Sequence, residues 1–129
     1  DFIGSVNIFE GKVKENANGL VKLDSPDGFS EIQAVEDRQF ETGQDLFLAI
    51  RPEKMNLTRE RPTEANAASG EVWEIAYMGG VTNYIVKLDG GKMVRASAVK
   101  RKRSVENPIG YDEVIWVSFE PDGGTLLDR

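Results

Sequence analysis

Apolar and polar residues alternate along several short stretches of this chain. The alternation is clearest in Leu46–Arg51, Tyr84–Leu88 and Ile115–Phe119, which are rich in β-branched and aromatic residues. A period of two is typical of β-strands, whose successive side chains point to opposite faces of a sheet. No helical stripe of similar length is visible, and the best helical candidate is the short stretch Thr63–Ala68. The pattern therefore predicts an all-β fold.

Turn-forming dipeptides separate the alternating stretches. Asn18-Gly19, Asp89-Gly90 and Asp122-Gly123 each lie between two apolar stretches. Asn-Gly and Asp-Gly suit the positive φ angles of tight hairpin turns, so we expect three antiparallel hairpins. The step Arg51-Pro52 predicts where one strand ends. Because proline lacks an N–H group and restricts the residue before it, the strand that begins at Leu46 should stop or bend there.

Many short strands with regular turns are typical of a β-sandwich or a small barrel. Residues 60–69 are polar and alanine-rich, and we interpret them as a linker between two β segments, 1–59 and 70–129, within one domain. The length of 129 residues fits one domain. No strict internal repeat is visible in the sequence. Because the chain begins with Asp1 and not with methionine, we expect it to come from a longer protein.

The composition narrows the chemistry that this chain can perform. It contains no cysteine and no histidine and has a net charge of −6. The absence of these residues excludes disulfides and thiolate metal sites and removes the commonest general base and metal ligand. An acidic domain is also a poor candidate for nucleic-acid binding, which usually requires a basic face. We can name neither catalytic residues nor metal ligands, although an all-carboxylate site for Ca²⁺ or Mg²⁺ stays open.

The phosphate-binding loop of an ATPase is missing. That loop needs a glycine, four residues, Gly-Lys and then serine or threonine, so that backbone N–H groups surround the phosphate and the hydroxyl binds Mg²⁺. Gly-Lys occurs twice, at Gly11-Lys12 and Gly91-Lys92, but both pairs lack the upstream glycine and the following hydroxyl residue. We therefore expect no ATP chemistry from these residues.

One concentrated positive run is present: Lys100, Arg101, Lys102 and Arg103. These residues could contact RNA, anionic lipid or an acidic partner. The simpler interpretation is a solvated loop after a strand, because four bases in an acidic domain make few phosphate contacts, which gives weak and salt-sensitive binding. We favour the solvated loop.

The aromatic residues Trp73, Tyr77 and Tyr84 are the other candidate contact residues. They could stack on nucleobases or surround a polyamine cation, or they could belong to the core. In a regular strand Trp73, Ile75 and Tyr77 share one face, which favours packing. Glu71 lies on the same face and Glu74 on the opposite one, which weakens a polyamine site on this strand.

Several stretches together resemble the C-terminal domain of the ATP-binding subunits of ABC importers. Phe2–Gly11 resembles the entry into that domain, and Ala49–Lys54 resembles its "RPE" motif. Three stretches resemble its last third, which begins the TOBE motif: Gly70–Val72, Ile75–Gly79 and Tyr84–Leu88. The segment Asp112–Asp128 resembles its closing strands. The residues in these stretches are most similar to those of the ATP-binding subunits of putrescine and spermidine importers.

This resemblance implies an oligonucleotide-binding-like β-barrel attached to an ATPase domain that is absent from this chain. It implies a regulatory and dimerisation role, with a second copy of the subunit and the membrane subunits of a transporter as partners, and it leaves a regulatory ligand open. ATP and Mg²⁺ would belong to the ATPase domain, and the protein would lie at the cytoplasmic face of the membrane. The positions that carry the resemblance, for which we expect mostly structural roles, are Phe2, Gly4, Asn7, Arg51, Pro52, Glu53, Gly70 and Gly79.

Two alternatives stay open. The first is a nucleic-acid-binding barrel, which needs exposed aromatic residues joined to a positive stripe, for which only the run at 100–103 qualifies. The second is a module that senses a small ligand, either a polyamine or an oxyanion. An independent enzyme is the least favoured interpretation, because no set of nucleophile, base and orienting group can be named.

Overall fold

The computed structural model describes residues 6–99 and 109–128, and within these ranges it contains ten β-strands and no α-helix. A single turn of 3₁₀ helix covers Pro52–Lys54. The predicted all-β class is confirmed. The strands are β1 (Asn7–Ala17), β2 (Leu20–Asp24), β3 (Ile32–Val35), β4 (Asp45–Ile50), β5 (Asn56–Thr58), β6 (Ala67–Met78), β7 (Val81–Leu88), β8 (Met93–Val99), β9 (Val114–Ser118) and β10 (Gly124–Leu127).

The strands form two antiparallel five-stranded sheets with the same topology. The first sheet has the order β10-β4-β1-β2-β3 and the second the order β5-β9-β6-β7-β8. Each strand of the first half of the chain therefore has a counterpart five strands later, in the same place in the other sheet. The sequence shows no strict internal repeat, but the topology is repeated. Few equivalent positions carry the same residue in both halves, and the sequence pattern alone therefore did not show the repeat.

The last strand of each half pairs with the sheet of the other half. β5 pairs with β9, and β10 pairs with β4. The predicted hairpin across Asp122-Gly123 is consequently wrong, since β9 and β10 belong to different sheets. The dipeptide does lie in a turn, in which the Gly123 N–H donates to the Glu120 carbonyl at 2.8 Å, but this turn carries the chain from one sheet to the other.

The other turn predictions agree with the structure. Asn18-Gly19, with φ angles of 59° and 76°, connects β1 to β2, and the loop that contains Asp89-Gly90 connects β7 to β8. β4 ends at Ile50, immediately before the Arg51-Pro52 step. Gly79 has a φ of 66° in the turn between β6 and β7, a conformation that side chains other than glycine rarely adopt.

The region predicted as a linker is more ordered than expected. β6 begins at Ala67, so the last residues of the predicted linker belong to a strand, and Asn66 is fully buried. The helical candidate Thr63–Ala68 is wrong, because residues 67 and 68 are already in β6. An alanine-rich stretch forms a strand here because Ala68 packs against the core, and tertiary packing outweighs the high intrinsic helix propensity of alanine.

Buried apolar residues from both sheets form one continuous cluster. At its centre the rings of Phe9, Phe29 and Phe119 are in mutual contact, with centroids 5.1 Å, 5.6 Å and 6.1 Å apart. Phe9 lies in β1 and Phe119 directly follows β9, so this contact joins the two sheets. Aromatic pairs at such distances stabilise a core beyond the area that they bury.

Candidate functional site

Asn7, one of the positions that carry the family resemblance, joins the two sheets. Its side-chain Nδ2 donates to the carbonyl oxygen of Arg95 at 2.8 Å, and its Oδ1 accepts from the N–H of Arg95 at 2.8 Å. The side chain thus occupies both backbone groups of one residue at the free edge of β8. Because Asn7 is only 5% exposed, both hydrogen bonds are shielded from water.

Asn66 makes the same contact in the other half of the chain. Its Oδ1 accepts from the N–H of Gln33 at 2.7 Å, and its Nδ2 donates to the carbonyl of Gln33 at 2.9 Å. Gln33 lies in β3, the counterpart of β8, so each sheet has one edge strand held by an asparagine from the other half. The sequence contains a signal for this pair, since both asparagines begin the pattern Asn-x-x-x-Gly-x-Val.

A β-bulge in β6 changes which side chains share a face. The register with β7 shifts between Val72 and Glu74, which leaves Trp73 as the extra residue. Trp73 is 47% exposed, whereas Ile75 is only 9% exposed. The expectation that Trp73, Ile75 and Tyr77 pack together on one face is therefore wrong.

The same bulge places Glu71 and Glu74 on one face of the sheet. Glu71 lies opposite Lys87, and Glu74 lies opposite Ile85, two residues earlier on β7. Since residues two apart on a strand point to the same side, both glutamates are on the outer face. The predicted separation of Glu71 and Glu74 onto opposite faces is wrong for this reason.

The three candidate aromatic residues lie in different surroundings. Trp73 is covered on one side by Lys87, whose Nζ is 4.9 Å from the ring centroid. Tyr77 is 69% exposed, near the end of the β6–β7 hairpin. Tyr84 is half-buried and packs against the core cluster. Burial raises the pKa of Tyr84, and the negative charge of Tyr77 adds a smaller increase.

Tyr84 lines a groove of about 790 Å³ between β5 and β8, the two edge strands of the second sheet. The groove is open to solvent along its length. Its walls come from the 3₁₀ turn, β5, the loop before β6, and β8. The residues that define it are Glu53, Leu57, Glu64, Tyr84, Ala96 and Ser118.

The groove combines acidic groups with an apolar floor. Among the described residues that line it, Glu53 and Glu64 are acidic and none is a lysine or arginine. No ion pair involving either glutamate occurs in the described part of the chain. The hydroxyl-bearing residue Ser118 also lines the groove and is only 2% exposed.

The other positions that carry the family resemblance differ in their exposure to solvent. Arg51 is exposed and directly precedes the 3₁₀ turn that begins at Pro52. Gly70 is buried where β6 approaches β7 so closely that a Cβ atom would lie 2.5 Å from the Lys87 carbonyl oxygen. The predictions for Phe2, Gly4, Lys100, Arg101, Lys102 and Arg103 fall outside the described residues.

Hydrogen bonds lower the pKa values of two carboxyl groups near the strand ends. The Arg59 guanidinium donates to the Glu113 carboxylate, and this hydrogen bond, with a second from the Gly110 N–H, lowers the pKa of Glu113. Hydrogen bonds from Gln33, the larger effect, and from Lys14 lower the pKa of Glu31. Both carboxylates are thus held in their charged form.

Neither metal-binding clusters nor membrane-spanning helices are present in the described part of the chain. No three of its acidic side chains come together as a group that could hold a metal ion. No helix there is long and apolar enough to cross a membrane.

A family model for the TOBE domain matches residues 48–127. The chain belongs to the TOBE domain family. This TOBE domain is 32% identical over its full length to a spermidine/putrescine import ATP-binding protein, PotA, of Protochlamydia amoebophila, of which it covers 35%. It is 34% identical over 98% of its length to the putrescine transport ATP-binding protein PotG of Escherichia coli, of which it covers 34%. The TOBE domain thus spans about one third of the length of these relatives.

The fold of the TOBE domain also resembles a solved structure. It matches the cytoplasmic molybdate-binding protein ModG, in a form with molybdate bound, with a TM-score of 0.76, an identity of 18% and a coverage of 94% of both chains. At this identity the likeness concerns the fold alone. The predicted oligonucleotide-binding-like class is confirmed.

Three residues of the TOBE domain were missed by reasoning from the sequence. Asn66 was assigned to a linker, although the repeated Asn-x-x-x-Gly-x-Val pattern could have identified it. Glu64 and Ser118 carried no local signal, because they come together only when β5 and β9 pair and the loop before β6 folds beside them.

Proposed function

We propose that this TOBE domain is the C-terminal regulatory and dimerisation domain of the ATP-binding subunit of an ABC importer for putrescine or spermidine. The observation that carries the proposal is the alignment of essentially the whole chain with about one third of two polyamine-import ATP-binding proteins. The other two thirds of such a subunit would bind ATP and Mg²⁺ and hydrolyse ATP. The TOBE domain itself would perform no chemistry.

In this role the domain would act by binding a second copy of itself. Pairing of two C-terminal domains keeps the two ATPase domains at a high effective concentration while they open and close. A ligand or partner that binds one arrangement more tightly would shift the population of closed, hydrolysing dimers, and a coupling of about 1–3 kcal/mol is typical of such regulation. The subunit would work with the membrane subunits of the transporter, at the cytoplasmic face of the membrane.

The test begins with the reading frame upstream of Asp1, which should encode a phosphate-binding loop and an ABC signature motif. The whole subunit and a version that ends before Asp1 are then compared by analytical ultracentrifugation with ATP present. We expect both to bind ATP and the longer protein to dimerise at a concentration about tenfold lower. Equal dimerisation would overturn the dimerisation role, and an upstream frame without an ATPase domain would overturn the whole proposal.

A further inference from the structure

The two halves of the chain hold each other by exchanged strands. We call residues 1–60 the first half and residues 61–129 the second half, and the backbone joins them through the loop between β5 and β6. Beyond this loop, β5 of the first half pairs with β9, and β10 of the second half pairs with β4. Arg59, Glu60 and Arg61, which belong to the loop, are exposed. The covalent connection between the halves therefore lies outside the core.

The edge of β4 fits one particular kind of strand. Gly124, the first residue of β10, lies opposite Ile50, and a Cβ atom there would lie 2.7 Å from the carbonyl oxygen of Ala49. Because backbone atoms in a paired strand do not move aside without cost, this position favours glycine. Leu126, two residues later, is 2% exposed and belongs to the core. The edge of β4 thus accepts an extended segment with glycine first and an apolar residue third, as in binding by strand addition.

Buried contacts continue across the boundary between the halves. Asn7 and Asn66 each bind both backbone groups of one residue in an edge strand of the other half. The ring of Phe119, in the second half, contacts those of Phe9 and Phe29, in the first half, at centroid distances of 6.1 Å and 5.6 Å. Interfaces between chains that exist only as a complex resemble a domain core cut in two, and this boundary is of that kind.

We propose that each half of the chain is a binding partner for the other and that the edge of β4 is the site that recognises β10. The loop between β5 and β6 raises the effective concentration of one half near the other, but the exchanged strands and the shared core supply the binding. A protease that cuts the exposed loop consequently leaves one folded particle and not two separate fragments. This inference goes beyond the proposed role in a transporter and does not depend on it.

A chain that can be cut in this loop tests the proposal. The recognition sequence of a site-specific protease is inserted between Glu60 and Arg61, where exposed backbone tolerates insertions, and the folded chain is then cut. In size-exclusion chromatography with light scattering at about 1 μM, we expect the two fragments to elute together with the mass of the uncut chain, because their dissociation constant lies below that concentration. The uncut chain with the inserted sequence is the control and should melt at the temperature of the parent.

Two substitutions in the cut chain test the site on β4, with the dissociation constant of the halves measured by dilution. Gly124→Ala should raise this constant at least about tenfold, whereas Gly80→Ala, at a position with no atom within 4 Å, should leave it unchanged. Three results would overturn the proposal: fragments that separate at about 1 μM, equal effects of the two substitutions, or a mass above that of the uncut chain. The first and third need no substitution, so they decide the matter even if Gly124→Ala does not fold.

Discussion

The asparagine contacts between the two sheets give the sharpest test of how this fold is held together. Asn66 is fully buried and makes hydrogen bonds of 2.7 Å and 2.9 Å with the backbone of Gln33. Asn66→Ala removes both hydrogen bonds and leaves an N–H and a carbonyl of β3 without partners. Each lost hydrogen bond costs about 0.5–1.5 kcal/mol, and a backbone group that stays dry costs about 1–3 kcal/mol. We therefore expect a loss of about 2–4 kcal/mol of unfolding free energy.

Urea unfolding followed by tryptophan fluorescence measures this loss, and hydrogen exchange at the Gln33 amide measures it locally. At about 3–5 °C per kcal/mol for a chain of this size, the melting temperature should fall by roughly 6–20 °C. Asn66→Asp keeps the acceptor but lacks the donor, so it should also destabilise. Asn56→Ala, at an exposed asparagine of β5, is the control and should stay within about 0.5 kcal/mol of the parent.

The counterpart substitution Asn7→Ala should cause a loss of similar size, with faster exchange at the Arg95 amide, because the two contacts have matching geometry. A loss below about 0.5 kcal/mol in Asn66→Ala, with unchanged exchange at Gln33, would show that water replaces the side chain without cost. That result would refute the reasoning that these contacts stabilise the junction of the sheets.

Three further predictions concern the core, a glycine and pH. Gly70→Ala should cost about 2–3 kcal/mol in thermal melts, since its Cβ would lie 2.5 Å from a backbone oxygen, whereas Gly80→Ala, with no atom within 4 Å, should cost less than about 0.5 kcal/mol. Phe29→Ala should cost about 3–5 kcal/mol in urea unfolding, and a cost below about 1 kcal/mol would contradict the assigned core. The folded-state pKa of Glu113 lies below its ordinary value of 4.5, so its stabilising effect is complete above that pH and lost as the pH falls through the lower, folded value. In urea unfolding between pH 7 and pH 3, Glu113→Gln should therefore be less acid-sensitive than the parent, and parallel pH curves would contradict this.

The alternation of side chains and the turn dipeptides were sufficient to identify most of the strands. Leu46, Leu48 and Ile50 are all buried on one face of β4, and Asn18-Gly19 forms the predicted hairpin turn. These features are local: the period of two and the positive φ angles depend only on neighbouring residues. The resemblance to a family of importer subunits also depended on the sequence alone, because it rests on the order of short motifs.

The sheet to which each strand belongs was decided only by the tertiary structure. β10 follows β9 after a turn that resembles a hairpin turn, yet it pairs with β4. Turn chemistry constrains a few dihedral angles, whereas strand pairing depends on which edge is free when the two halves come together. The exchange of β5 and β10 therefore left no local trace in the sequence.

The candidate groove depended on the tertiary structure for the same reason. The bulge at Trp73 changed the face expected for Glu74, because one inserted residue changes the side of every later side chain. Glu53, Glu64 and Ser118 are distant in sequence and meet only beside the paired strands β5 and β9. The sequence by itself determined which stretches form strands, and the packing of the two sheets determined which side chains are brought together.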